Sequence, residues 1–131
     1  MHYEVDLLQL WCEDHDLDES HIHDLLKLGQ EHIFLPGDMI VHQGQDATSF
    51  YILLEGRVRV IQQCMFFKEI IAVLQPGDLI GLNPRNFIEG LFKSFKRTAD
   101  AECIGQVKAL QISFSDIKAL FSQHPEIEAT F

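Results

Sequence analysis

Basic residues are scarce in this chain. Ten lysines and arginines stand against twenty aspartates and glutamates in 131 residues, for a formal net charge of −10. The imbalance is local. Residues 1–46 hold eleven acids and one base, Lys27, whereas the rest is balanced at nine of each. A polyanion is repelled by such a surface, so DNA binding by this chain is not expected. Cysteines are few. Cys12, Cys64 and Cys103 are far apart and odd in number, which argues against a disulfide framework and predicts reduced, buried thiols. No apolar run approaches the roughly 18 residues of a membrane span. The opening Met1-His2-Tyr3-Glu4-Val5-Asp6 has neither the basic start nor the apolar core of a secretory signal, so a cytoplasmic location is expected. Low-complexity segments and solenoid-period repeats are missing as well.

Catalytic motifs are also absent. There is no G-x-x-x-x-G-K-[ST] phosphate loop and no nucleophile motif with a partnered histidine, so the chain is not read as an enzyme. A cupin-type metal site needs His-x-His on a strand with a nearby Glu. His21-x-His23 lies in a helical segment, with Lys27 and Leu28 where the Glu belongs. Cys12 and His15 share a helix face, but His21 and His23 do not face together, so no metal site is assigned.

What is present is a globular composition, 47% hydrophobic and 23% charged, at a length that suits one domain, residues 1–131. Ile22, Leu25, Leu26 and Leu28 have helical spacing, with Ser20 as N-cap and Gly29 as stop, inside an N-terminal helical segment 1–30. Short strands then alternate with glycine turns. Phe34-Leu35 leads into the turn Pro36-Gly37-Asp38, and Met39-Ile40-Val41 is a strand before a turn at Gly44 to Asp46. Phe50 to Leu54 is a strand, Glu55-Gly56 reads as a hairpin turn, and Arg57 to Ile61 alternates as a half-buried strand. Glu69 to Leu74 follows, then a second Pro76-Gly77-Asp78 turn, and Ile104 to Ile112 gives one or two strands. Ser113 or Ser115 caps a helix carrying Ile117, Leu120 and Phe121, and Pro125 opens another. Strands at this spacing predict an α+β fold: a β jelly-roll (double-stranded β-helix) barrel over 31–112, flanked by N-terminal helices and by C-terminal helices over 113–131.

Residues 36–40, Gly44, the run Tyr51-Ile52-Leu53-Leu54-Glu55-Gly56-Arg57-Val58-Arg59-Val60 and the run Leu74-Gln75-Pro76-Gly77-Asp78-Leu79-Ile80-Gly81 together resemble the cyclic nucleotide-binding domain family. That family includes the sensor halves of catabolite-activator and FNR-type transcription regulators. The resemblance covers about residues 7–131. It implies a regulatory sensor domain in signal transduction, with a phosphate-binding cassette after the second Pro-Gly-Asp. On this chain the cassette would be Gly81, Leu82, Asn83, Arg97, Thr98 and Ala99, with cyclic AMP, cyclic GMP or another small anion as ligand. Arg97 would neutralise the phosphate, and a helix N-terminus would add its free N–H groups. Leu82 stands where binding members carry the Glu that accepts from the ribose. Leaving that hydroxyl unpaired costs about 1–3 kcal/mol. Glu89 is the candidate substitute. The span from Gly81 to Arg97 is also longer than the family's usual one.

Within that span Asn83-Pro84 reads as cap and first turn, and Phe87, Ile88, Leu91, Phe92 and Phe95 share one face of a helix over 84–95. Two readings stay open. The helix either closes the pocket with its own aromatics or remodels a ligand site. Arg85, Lys93, Lys96 and Arg97 face only Glu89 in this stretch, a local positive patch suited to a small anion. Arg97 either contacts that anion or forms an ion pair with Asp100 or Glu102. The function expected is therefore a sensor that signals to an output domain or protein partner through its C-terminal helix. The alternative is a ligand-free interaction or dimerisation module. A homodimer is a candidate assembly, no membrane partner is expected, and the chain stops before the long helix and helix-turn-helix of DNA-binding relatives.

Overall fold

The computed structural model describes residues 24, 25, 27–81 and 96–128, the last two as backbone alone. Asp24, Leu25, Lys27 and Leu28 are helical and Gly29 is not, in keeping with the expected stop. Six strands follow: β1 (Gln30–Phe34), β2 (Met39–Val41), β3 (Ser49–Cys64), β4 (Phe67–Leu74), β5 (Leu79–Ile80) and β6 (Asp100–Ser113). Two helices close the described chain, α1 (Phe114–Gln123) and α2 (Pro125–Glu128). Ser20, the helix expected over 84–95, Cys12 and the His15, His21 and His23 group lie outside the described residues.

All strand pairings are antiparallel, in the order β1-β6-β3-β4, with β2 added on β6 and β5 on β3. The two Pro-Gly-Asp turns are one device used twice. In the first, the Asp38 N–H donates to the Leu35 carbonyl (3.0 Å), and its carboxylate accepts from the Leu35 N–H (2.8 Å). In the second, Asp78 and Gln75 repeat both bonds at 3.0 and 2.8 Å. Proline presets the first central residue, while Gly37 at φ 85° and Gly77 at φ 96° take the left-handed one. Each turn then docks on a long strand: Gly37 and Asp38 bond the backbone of Cys103, and Gly77 and Asp78 that of Leu53.

The expected hairpin at Glu55-Gly56 does not occur. β3 runs through it as one strand of 16 residues. Gly56 has φ 92° and Gly105, on the facing strand, φ 86°, and the β3–β6 register slips on both sides of Glu55. The glycines kink two long strands together instead of reversing one, which is a bulge. The true reversal is at Met65-Phe66, where Cys64 faces Phe67 and Met65 takes φ 32° without being glycine. Likewise β1 begins earlier than the apolar pair Phe34-Leu35, and β6 is one strand rather than two.

β3 is buried continuously from Ser49 to Leu54 because the strand packs on both faces. Tyr51 and Leu53 join Ile40, Val41, Val58, Ile80, Val107 and Ala109 in the core between strands. On the alternate face Phe50 stacks on Phe114 of α1, centroids 6.3 Å apart. Ser113 caps α1, its hydroxyl accepting from the Asp116 N–H at 3.1 Å. Ile117, Leu120 and Phe121 are buried, at the helical spacing expected of them.

Candidate functional site

β5 has only two residues, yet it sets the site. Its pairing puts Ile80 opposite Tyr51 and Leu79 opposite Ile52, which delivers Gly81 to the start of β3. Arg97 closes the gap from the other side. Its Nη1 donates to the Gly81 carbonyl (2.8 Å) and its Nη2 to the Ser49 carbonyl (2.7 Å). Its own backbone is fixed by the loop between β2 and β3: the Arg97 N–H donates to Gln45 (2.7 Å) and its carbonyl accepts from Gly44 (2.8 Å). Next door, Asp46 bridges Lys96, whose Nζ lies 2.7 Å from its carboxylate. That hydrogen bond, and the ammonium charge behind it, hold the exposed Asp46 carboxyl below its usual range.

Gly81 is required here on two counts. Its φ is 86°, and a Cβ on it would land on Arg97 Nη1. The guanidinium can fold onto that carbonyl because no side chain is in the way.

Arg97 is only 7% exposed. Among the described residues it has no carboxylate partner. Glu102, one expected candidate, instead lies 3.1 Å from Arg59, and Asp100, the other, accepts from the Gln43 N–H at 2.6 Å. The ion-pair reading of Arg97 is therefore replaced by a clamp on two carbonyls. Burial lowers the Arg97 pKa from its ordinary value. Burial also raises that of Tyr51, and the nearby guanidinium partly opposes this. Among the described residues the buried guanidinium is held by carbonyl dipoles without a carboxylate, so its charge is only partly compensated by them.

A polar chain supports the clamp. His32 Nε2 donates to Gln111 Oε1 (2.7 Å), and Gln111 Nε2 donates to the Ser49 hydroxyl (3.1 Å). The His32, Phe34 and Tyr51 rings pack at 6.0 to 6.3 Å beside it.

The structure thus brings together two of the residues expected from sequence, Gly81 and Arg97. Thr98 is exposed, its carbonyl accepting from Gln62 (3.3 Å), and Ala99 is buried. Leu82, Asn83 and Glu89 lie outside the described residues. Ser49 and Gln45 were not legible beforehand, because their backbone carbonyls do the binding and any residue supplies one. Among the described residues no cluster could hold a metal ion, and no helix is long and apolar enough to cross a membrane.

A family model described as the cyclic nucleotide-binding domain matches residues 31–124. The chain belongs to the cyclic nucleotide-binding domain family. A cyclic nucleotide-gated channel of Caenorhabditis elegans is 28% identical over 102 residues, 78% of this chain and 14% of the channel. The N-terminal domain of a transcriptional regulator from Streptomyces coelicolor A3(2) is similar at TM-score 0.74 and 25% identity, over 87% of this chain and 76% of that one. The catabolite activator protein of Thermus thermophilus is similar at TM-score 0.76 and 23% identity, over 87% and 51%. This cyclic nucleotide-binding domain spans only a small part of the channel it matches. The antiparallel strands and C-terminal helix are the family's jelly roll, a regulatory fold generally without catalytic activity.

Proposed function

We propose that this chain is a sensor domain that binds a small anion, a cyclic nucleotide such as cyclic AMP or cyclic GMP, against Gly81 and Arg97. One observation carries the reading: the buried Arg97 guanidinium has two carbonyl partners and no carboxylate among the described residues. An arginine offers five N–H donors in a planar fork, so two carbonyls leave capacity for phosphate oxygens. Leu82, Asn83, Thr98 and Ala99 complete the cassette by resemblance, with Glu89 as the ribose acceptor in place of Leu82. Signalling would pass through α1 and α2 to an output domain or protein partner, since α1 packs on the same strand, β3, that holds Arg97.

Calorimetric titration with cyclic AMP and cyclic GMP tests this, with Arg97→Ala as control. Removing charge-assisted hydrogen bonds worth about 1.5–3 kcal/mol weakens binding by roughly 10- to 150-fold. Binding that the substitution leaves unchanged refutes the role of Arg97. No heat from either nucleotide near a millimolar leaves the ligand-free interaction module, its pocket filled by the 84–95 segment.

A further inference from the structure

We propose that β4 is a self-association surface, through which two copies of this chain pair edge to edge and antiparallel. The inference is independent of the anion reading. Among the described residues, β4 pairs with β3 on one side and ends the sheet on the other. Its side chains from Phe67 to Val73 are all exposed. Six large apolar residues of this one hairpin are open: Met65 (89%), Phe66 (93%), Phe67 (61%), Ile70 (56%), Ile71 (49%) and Val73 (49%). Soluble proteins blunt such edges with charge or cover them. Here Lys68 and Glu69 guard the tip end, and nothing charged follows from Ile70 to Leu74.

Area and strand register favour a second copy as the occupant. The exposed surface of those six residues, on the order of 700 Å², is the upper limit of what such pairing can bury, against about 800 Å² per partner in a standard interface. The chain carries −10 overall, so two copies repel over most approaches, but residues 57–74 hold Arg57, Arg59 and Lys68 against Glu69 alone. A strand pairing with itself forms an isologous contact, and its axis decides which residues meet. With the axis at Ile70, Lys68 faces the partner's Ala72 and Glu69 the partner's Ile71. No like charges are opposed, as they would be with the axis at Glu69.

Sedimentation of the full chain from about 1 µM to about 1 mM tests this. The expected result is a monomer–dimer equilibrium whose Kd rises at least tenfold in Ile70→Lys and in Val73→Lys, with thermal unfolding unchanged at concentrations where all are monomeric. Hydrogen exchange on the unsubstituted protein supplies a second readout, which needs no variant to fold. Alternate β4 amides should slow as dimer forms. Three results overturn the proposal: a monomer at every concentration, a dimer in which β4 amides stay fast or Ile70→Lys has no effect, or growth into open oligomers. The last would mean that β4 joins the opposite sheet edge, where Ile33 is 60% exposed.

Discussion

Substituting Gly81 by alanine separates backbone strain from the arginine clamp, and a second glycine provides the reference. Gly77 and Gly81 both take left-handed φ, at 96° and 86°. A Cβ at Gly77 meets nothing within 4 Å, whereas one at Gly81 meets Arg97 Nη1. Gly77→Ala therefore costs the left-handed strain alone, about 1–2 kcal/mol. Gly81→Ala adds the loss of a hydrogen bond from a charged donor, about 1.5–3 kcal/mol, for a total of roughly 2.5–5 kcal/mol. Urea unfolding followed by circular dichroism, with unchanged m, measures both. In an Arg97→Ala background there is no guanidinium to displace, so the cost of Gly81→Ala should fall to that of Gly77→Ala. The coupling energy is then about 1.5–3 kcal/mol. If Gly81→Ala costs no more than Gly77→Ala, or costs the same with and without Arg97, then the clamp contributes nothing and the glycine is there for its φ alone.

Two further outcomes are expected. Ser113→Ala removes the α1 cap and should lower stability by about 1 kcal/mol in thermal unfolding; a change under a few tenths would mean another group satisfies the Asp116 N–H. Burial, with Asp38 and Glu102 adding to it, pushes the Cys103 thiol up to about 11. The unfolded chain ionises this thiol first, so stability should fall as pH rises from about 9 to about 11. Cys103→Ala should flatten that part of the pH profile relative to the unsubstituted chain, and identical slopes would refute the assignment.

Legibility in this chain follows the range of the forces involved. The Pro-Gly-Asp turns were readable because proline and glycine preset φ and the aspartate closes its own turn three residues back. The α1 cap and the buried face of Ile117, Leu120 and Phe121 are equally local. Gly56 was misread for a reason that no local rule repairs. Its positive φ suits a turn or a bulge, and the choice was made by Gly105 on the facing strand. Met65, a non-glycine at φ 32°, hid the real reversal.

Sequence alone determined the acidic first third, the positive stretch around Arg97, the turn positions and the family resemblance, because each depends on residue types or on neighbours a few positions apart. Tertiary structure alone decided what Arg97 touches. The carbonyls of Ser49 and Gly81 lie 48 and 16 positions away, and backbone oxygens leave no mark on residue identity. It also decided that Asp100 and Glu102 are engaged elsewhere and that the apolar run of β4 faces outward rather than inward. Apolar residues in a strand require a covering surface, but which surface covers them is settled by how distant strands pair.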